Sequence, residues 1–184
     1  VWKDLSESKD VLIVSGYSAL DSLLTFLGSR QSDDGSEIRL LLGTEPFPSH
    51  ASRFRARTDV GREIRDYWLE RGISVLLSGA LIHARELVAS GTVQVRTAQS
   101  HRPVHAKMYV SEGAVTLGSS NFTLAGLGRQ SEANVRFAQA DKRRFAEAQL
   151  LAEGLWSQGT DYTEQFLALL DALLKSVTWQ EALA

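Results

Sequence analysis

Two basic side chains with alternating spacing mark the part of this sequence that is best suited to chemistry. His105 and Lys107 lie in a short apolar run that predicts a strand over residues 104–110. Residues two apart on a strand face the same side, so both side chains are expected to project together. An imidazole can attack phosphorus or donate a proton, and an ammonium can stabilise charge on a phosphate oxygen. The pair therefore suits a reaction at a phosphodiester.

A second polar cluster follows the next predicted strand, over residues 114–117. Ser119 and Asn121 come just after it, and the connection Ser-Glu-Gly is short enough for a hairpin. The hairpin would bring the cluster beside the histidine and lysine, where a hydroxyl and an amide can donate to non-bridging phosphate oxygens. Ser119 could also shape a turn, and Asn121 could cap the short segment after it, and neither role excludes catalysis.

An acidic residue opens the last strand of this region. Glu132 and Asn134 share a face with Arg136, while the alternate positions are apolar and are expected to face the core: Ala133, Val135 and Phe137. Glu132 can hold the far ring nitrogen of a histidine and steady its cationic form. Pairing of Glu132 with Arg136 is the alternative.

Other polar residues are weaker candidates. Four are predicted to contact substrate: Ser120, Asn134, Arg102 and His101. Arg53, Arg55 and Arg57 form either a phosphate-tracking face or an ordinary solvated surface. His83 is expected to serve packing or surface roles, His50 lies in a predicted loop, and the four tryptophans show no stacking pattern.

Composition limits the class of protein. The chain has 184 residues, 43% of them hydrophobic, and a net charge of -2, which fits one domain over residues 1–184. With no cysteine and no His-x-x-x-His pair, we predict no metal site and no cofactor. No apolar run is long enough for a bilayer, so we predict a cytoplasmic protein without a membrane partner.

Apolar strand-like runs alternate with helical periodicity, which predicts an α/β fold with a mixed sheet and helices on both faces. Strands are predicted at 10–17, 38–42, 73–77, 92–98, 104–110, 114–117 and 133–137, and helices at 18–27, 58–71, 78–89 and in two C-terminal segments. Ser78, Asp141 and Asp161 are predicted helix caps, and Gly91 a helix end. Residues 44–57 are predicted to be irregular.

The two ends suggest a piece of a longer protein. The sequence opens without a methionine, and Thr178–Glu181 resembles a capping box that begins a helix. Only three residues follow, too few for that helix to persist. We therefore expect an N-terminal region of a longer polypeptide.

The stretch HAKMYVSEGAVTLGSSN resembles the HxKxxxxD and GSxN signature of the phospholipase D superfamily. The resemblance implies that His105 is the nucleophile, that Lys107, Ser119 and Asn121 bind the phosphoryl group, and that Glu132 supports the histidine. It also implies a phospholipase D/nuclease-like sandwich. The family's aspartate is replaced by Glu112, which affects the geometry of the turn more than the chemistry.

The wider sequence is similar to phospholipase D-like domains at the N-terminus of bacterial superfamily-2 helicases. A single motif implies that a homodimer completes the active site. The resemblance thus predicts a metal-independent nuclease domain that acts on nucleic acid, DNA in the first instance, through a phosphohistidine. The alternative is a non-catalytic nucleic-acid-binding or dimerisation module of a helicase.

Overall fold

A computed structural model describes residues 1–31, 35–43 and 60–182 of the chain. The strands are β1 (Val11–Ser15), β2 (Ile38–Leu42), β3 (Val93–Thr97), β4 (Lys107–Val110), β5 (Ala114–Gly118), β6 (Asn134–Ala138) and β7 (Thr160–Asp161). The helices are α1 (Trp2–Ser6), α2 (Leu20–Gly28), α3 (Val60–Arg71), α4 (Ser78–Ala89), α5 (Leu124–Gly128), α6 (Lys142–Ser157) and α7 (Thr163–Ala182), with a 3₁₀ turn at Val75–Leu77.

The seven strands form one mixed sheet in the order β6-β5-β4-β1-β2-β3-β7. The central strand β1 pairs in parallel with β2 and antiparallel with β4. Strands β4, β5 and β6 then follow one another as antiparallel neighbours. This arrangement brings the carboxyl end of β1 beside the start of β4, because Ser15 is the register partner of Lys107.

Helices cover both faces of the sheet, so the predicted α/β fold is confirmed. The larger core lies on one face and contains apolar side chains of α2, α3, α4 and α7, among them Leu23, Trp68 and Phe166. The opposite face packs against α6, through Ala152 and Trp156. Burial of these apolar side chains is the main stabilising contribution to the fold.

Local signals explain several helix boundaries. The Asp141 side chain accepts a hydrogen bond from the amide of Arg144 and so caps α6 as predicted. Asp161 accepts one from the amide of Thr163 at the start of α7. After α4 the chain turns at Gly91, whose φ of 80° lies in the left-handed region that glycine adopts readily.

Three local predictions are wrong. The predicted strand at 73–77 contains a 3₁₀ turn instead, because Ser74 accepts hydrogen bonds from Leu77 and Leu76 and leads the chain directly into α4. Ser78 is the first residue of α4, whose N-cap is Leu77 without a side-chain bond. Residues 178–181 start no new helix but continue α7, since extending a helix is easier than nucleating one.

Strand β6 does not bury its apolar face as predicted. Ala133 and Val135 are exposed, Val135 to 52%, and Phe137 is only partly buried against α6 and its core. These side chains are exposed because β6 lies at one edge of the sheet. Sequence patterns also missed α1, α5 and β7, which are too short for a clear period.

The predictions for residues 44–57, including His50, Arg53, Arg55 and Arg57, lie outside the described residues. His83 has the structural role expected of it, since its Nε2 bonds to the carbonyl of Arg30 at 2.7 Å. Among the helices of the described ranges, none combines the length and the apolar character needed to cross a bilayer.

Candidate active site

The structure brings the His105 and Lys107 side chains into direct contact. The ammonium Nζ of Lys107 lies 2.7 Å from Nε2 of His105 and 2.9 Å from the His105 carbonyl oxygen. His105 precedes β4 rather than lying within it, because the strand begins three residues later than predicted. The imidazole is exposed, whereas Lys107 is only 6% exposed. Ala106 and Met108 pack on the opposite side, as predicted.

The contact has a consequence for the tautomer of the histidine. An ammonium has three donors and no acceptor, so a charged Lys107 can only donate to Nε2. Nε2 must then carry the lone pair, and the ring hydrogen is assigned to Nδ1. The Nε2 lone pair then accepts the hydrogen bond from Lys107, so attack through Nε2 requires the ammonium to move first to another acceptor, such as an anionic oxygen.

Gly16, directly after β1, allows the histidine to approach the sheet. A Cβ at this position would lie 2.9 Å from the Cα of His105 and 3.3 Å from its Nδ1. The backbone amide of Gly16 donates a hydrogen bond to the carbonyl of Ala106 at 2.9 Å. This bond holds the end of β1 beside the start of β4. The only sequence signal for this role is a glycine at the end of an apolar strand.

The Ser119–Asn121 segment is held from both sides. Beneath it, the buried Tyr109 hydroxyl donates to the carbonyl of Ser120 at 2.7 Å. From β6, Asn134 Nδ2 donates to Ser120 Oγ at 2.7 Å. Burial raises the pKa of Tyr109 well above its usual range, and the charge of Glu132 raises it further, so this phenol remains a donor. Tyr109 was not a sequence candidate.

Glu132 and Ser119 form a pair of their own. The Ser119 hydroxyl donates to a carboxylate oxygen of Glu132, and the amide of Ala133 donates to Ser119 Oγ at 3.0 Å. The alternative pairing of Glu132 with Arg136 is wrong, because the Arg136 guanidinium donates to both carboxylate oxygens of Asp4. The support of His105 by Glu132 stays a prediction.

Asn121 is fixed through its neighbours. The amide of Phe122 donates to Ser15 Oγ at 3.1 Å and to the carbonyl of Tyr17 at 3.2 Å, which ties this loop to the end of β1. The Oδ1 atom of Asn121 is buried without a hydrogen-bond partner. The cap of α5 is Thr123, whose hydroxyl accepts from Gly126, so the capping role considered for Asn121 is wrong.

The remaining candidates lie in turns of the chain. His101 and Arg102 are exposed in a turn where the Arg102 amide donates to the carbonyl of Gln99 at 3.0 Å. Glu112 lies in the β4–β5 turn, at the opposite end of β4 from Lys107, and accepts from the Lys9 amide at 3.4 Å. In the described ranges, no three His, Asp or Glu side chains come together as a group that could hold a metal ion.

Two solved structures share this arrangement of strands and helices over most of their length. One is a phospholipase D family member, Nuc from Salmonella typhimurium, with a TM-score of 0.52 and 17% sequence identity; 88% of this chain and 87% of that chain are covered. This is the phospholipase D fold. NucT from Helicobacter pylori matches with a TM-score of 0.51 and 10% identity over 87% of each chain. At these low identities, the structural likeness establishes the fold alone. No family model and no curated protein matches the chain.

The site on this phospholipase D fold combines an exposed imidazole with a buried ammonium and a rigidly held polar loop. The ammonium is positioned to stabilise negative charge beside the imidazole, at low exposure where such a contact is stronger than in water. The loop supplies a hydroxyl and an amide from a segment that Tyr109 and Asn134 anchor. The arrangement suits nucleophilic attack on a centre that bears anionic oxygens.

Proposed function

We propose that this domain is a metal-independent phosphodiesterase that cleaves nucleic acid through a phosphohistidine intermediate. The observation that carries the proposal is the 2.7 Å contact between Lys107 Nζ and Nε2 of His105, an exposed residue. The contact keeps a cation beside the atom that would bond to phosphorus, and the anionic oxygens of the substrate would draw the ammonium away from Nε2 and free its lone pair for attack.

The reaction proceeds in two displacements. Nε2 of His105 attacks phosphorus, the phosphorus–oxygen bond to the leaving group breaks, and the leaving oxygen takes a proton from His105 of the partner subunit. That same histidine then takes a proton from water, the water oxygen bonds to phosphorus, and the phosphorus–nitrogen bond breaks. Lys107 and Asn121 stabilise the equatorial oxygens in both steps.

The need for a partner follows from the number of histidines that the reaction uses. One group must attack while another protonates the leaving oxygen, and the sequence contains a single His-x-Lys pair. We therefore propose a homodimer whose two copies of His105 meet across a two-fold axis. We further propose that the domain serves a linked helicase, a proposal supported by the sequence resemblance alone.

The proposal is tested with a labelled DNA oligonucleotide, single- or double-stranded, in the presence of EDTA. We expect cleavage by the wild-type protein, no cleavage by His105→Ala, and at least about a hundredfold lower kcat for Lys107→Met. Lys142→Met removes an exposed lysine at the start of α6 and serves as the matched control, with unchanged cleavage expected. Acid-labile radiolabel retained on His105 after quenching would identify the intermediate.

Two results would contradict the proposal. Cleavage that stops with EDTA but continues in His105→Ala would replace this mechanism by a metal-dependent one. Tight, salt-sensitive binding without any product after long incubation would favour the non-catalytic module. An RNA oligonucleotide of the same sequence, assayed in parallel, determines which nucleic acid is the substrate.

A further inference from the structure

A cavity of about 400 Å³ opens between the segment after β1, helix α3 and the turn that follows it. Its walls include aromatic side chains, Tyr17, Tyr67 and Trp68, together with Asp21 and Arg71. The volume falls in the range of small-molecule sites, and the mixture of apolar walls with a few polar groups is typical of them. None of these residues takes part in the phosphoryl chemistry described above.

The polar groups of the cavity form one network. Arg71 donates to the Tyr67 hydroxyl at 3.2 Å, and this bond, with the nearby charge of Asp21, holds the pKa of Arg71 above its ordinary value. Burial and hydrogen bonding with Tyr67 raise the pKa of Tyr17 to about 12. The Tyr17 phenol therefore stays neutral at physiological pH, and the guanidinium stays charged beside Tyr67.

Trp68 adds an aromatic wall with an unused donor. It is 2% exposed, packs edge-to-face on Phe166 with ring centroids 6.1 Å apart, and its Nε1 has no hydrogen-bond partner. A buried donor without an acceptor is uncommon, since it loses its hydrogen bond to water on folding. Its indole also provides a spectroscopic reporter for anything that enters the cavity.

The backbone connects the wall of the cavity to the candidate active site. Tyr17 follows Gly16, whose Cα lies against the backbone of His105, and adjacent Cα atoms are about 3.8 Å apart. The carbonyl of Tyr17 accepts from the amide of Phe122, which follows Asn121. Tyr17 is thus one residue along the chain from Gly16, which contacts His105, and is hydrogen-bonded to the residue after Asn121.

The charge of the cavity distinguishes between possible ligands. The lining carries one acidic side chain, Asp21, and one basic side chain, Arg71, rather than the cluster of cations that a free anion would favour. Two phenols, an indole and a guanidinium instead suit a flat, uncharged ring that carries both donors and acceptors. Stacking on aromatic side chains and on guanidinium planes is how proteins hold unstacked nucleobases.

We propose that this cavity is a nucleobase subsite that holds an unpaired base adjacent to the scissile phosphodiester. The position of the subsite beside a scissile bond rests on the proposed function. The binding of a base to the cavity is measured separately. Because a base in a duplex remains stacked and paired, the subsite would favour single-stranded substrate. Stacking in the cavity would then position the phosphodiester against His105.

The test uses fluorescence anisotropy with single-stranded oligonucleotides in which one abasic nucleotide is moved stepwise along the sequence. Binding is measured with His105→Ala to prevent cleavage, and cleavage with the wild type. We expect one abasic position near the cut site to weaken binding about tenfold, and the others to have little effect. Tyr67→Ala and Arg71→Ala should weaken binding of the intact strand and abolish the positional effect.

Arg65→Ala is the matched control, because Arg65 lies on the same helix, is half exposed and pairs with its neighbour Asp66 at 3.6 Å. It should retain the positional effect. Tyr67→Phe keeps the ring, so the stacking contribution should persist even if Tyr67→Ala fails to fold. Titration with the oligonucleotide should quench a tryptophan signal that Trp68→Phe lacks.

The outcomes separate the two proposals. Cleavage that depends on His105, with an abasic scan that shows no preferred position, overturns the subsite and leaves the nuclease. A preferred abasic position without cleavage overturns the nuclease and leaves the subsite. Absence of any binding to single strands overturns the subsite, and absence of binding to single and double strands alike overturns both proposals.

Discussion

Gly16 and His105 are in contact at the level of single atoms, and the glycine is required there by space rather than by backbone conformation. A side chain at position 16 would meet backbone atoms of His105, which cannot rotate away as the end of a flexible side chain can. Lys107 depends on the same geometry, because its ammonium reaches both Nε2 and the carbonyl of His105. A displacement of the histidine would therefore separate the two groups.

We predict that Gly16→Ala lowers kcat for phosphodiester cleavage at least about tenfold, because reacting groups must be held within a fraction of an ångström. The measurement is steady-state cleavage together with thermal unfolding of the same samples. Gly154→Ala is the control. This glycine lies inside α6 with nothing within 4 Å of a new Cβ, and alanine there should raise stability by about 0.5–1 kcal/mol and leave cleavage unchanged. Unaltered cleavage in Gly16→Ala would show that the histidine tolerates the shift.

Strand β6 links the candidate site to the N-terminal helix at the scale of whole elements. One face of the strand supplies Asn134, which bonds to Ser120, and Arg136, which donates to both oxygens of Asp4 in α1. Because β6 is an edge strand, it has a backbone neighbour on one side only. The ion pair with α1 therefore contributes to the position of β6, and through it to that of the Ser119–Asn121 loop.

The Asp4–Arg136 pair predicts a pH-dependent contribution to stability. The hydrogen bond from Arg136 is the main reason why the pKa of Asp4 lies below its ordinary value of 3.8. A depressed folded-state pKa stabilises the protein fully above the ordinary value, and the contribution disappears as the pH falls through the lowered value. Asp4→Asn should therefore reduce the free energy of unfolding by about 0.5 kcal/mol near neutral pH, with Arg136 half exposed, and by nearly nothing at a pH well below the lowered pKa of Asp4.

Chemical denaturation of the wild type, Asp4→Asn, Arg136→Gln and the double variant at both pH values isolates the coupling between the two side chains. A coupling of the same size at both pH values would mean that the carboxylate charge is not its source.

At the scale of the molecule, the proposed chemistry requires two copies of the site. One chain offers one His105, and the proposed mechanism assigns attack and protonation to different histidines. The exposed position of His105 is compatible with access from a second copy. Catalysis should thus be a property of the dimer, and activity should depend on how the subunits combine.

Mixing experiments measure this directly. When wild type and His105→Ala are mixed in equal amounts and allowed to exchange subunits, only wild-type pairs are active, so about one quarter of the dimers should cleave. Independent monomers would retain half of the activity of the undiluted wild type. Light scattering at the assay concentration gives the oligomeric state, and a fully active monomer would contradict the shared site.

The sequence by itself determined the layers of the fold and the contact between His105 and Lys107. Apolar periodicity located most strands and the long helices, since their burial depends on spacing along the chain. The two-residue spacing of His105 and Lys107 and the short hairpin that leads to Ser119 likewise involve residues that are close together in the sequence. Spacing along the chain is therefore sufficient to predict contacts between residues that are near each other in the sequence.

Only the tertiary structure decided which of these elements lie at an edge and what fills the space between them. The exposure of Val135, the pairing of Arg136 with Asp4 and the approach of Gly16 to His105 each join residues far apart in sequence. The same holds for the cavity, where Tyr17 meets Tyr67 and Arg71. Such contacts depend on strand order and helix placement, which no local pattern encodes.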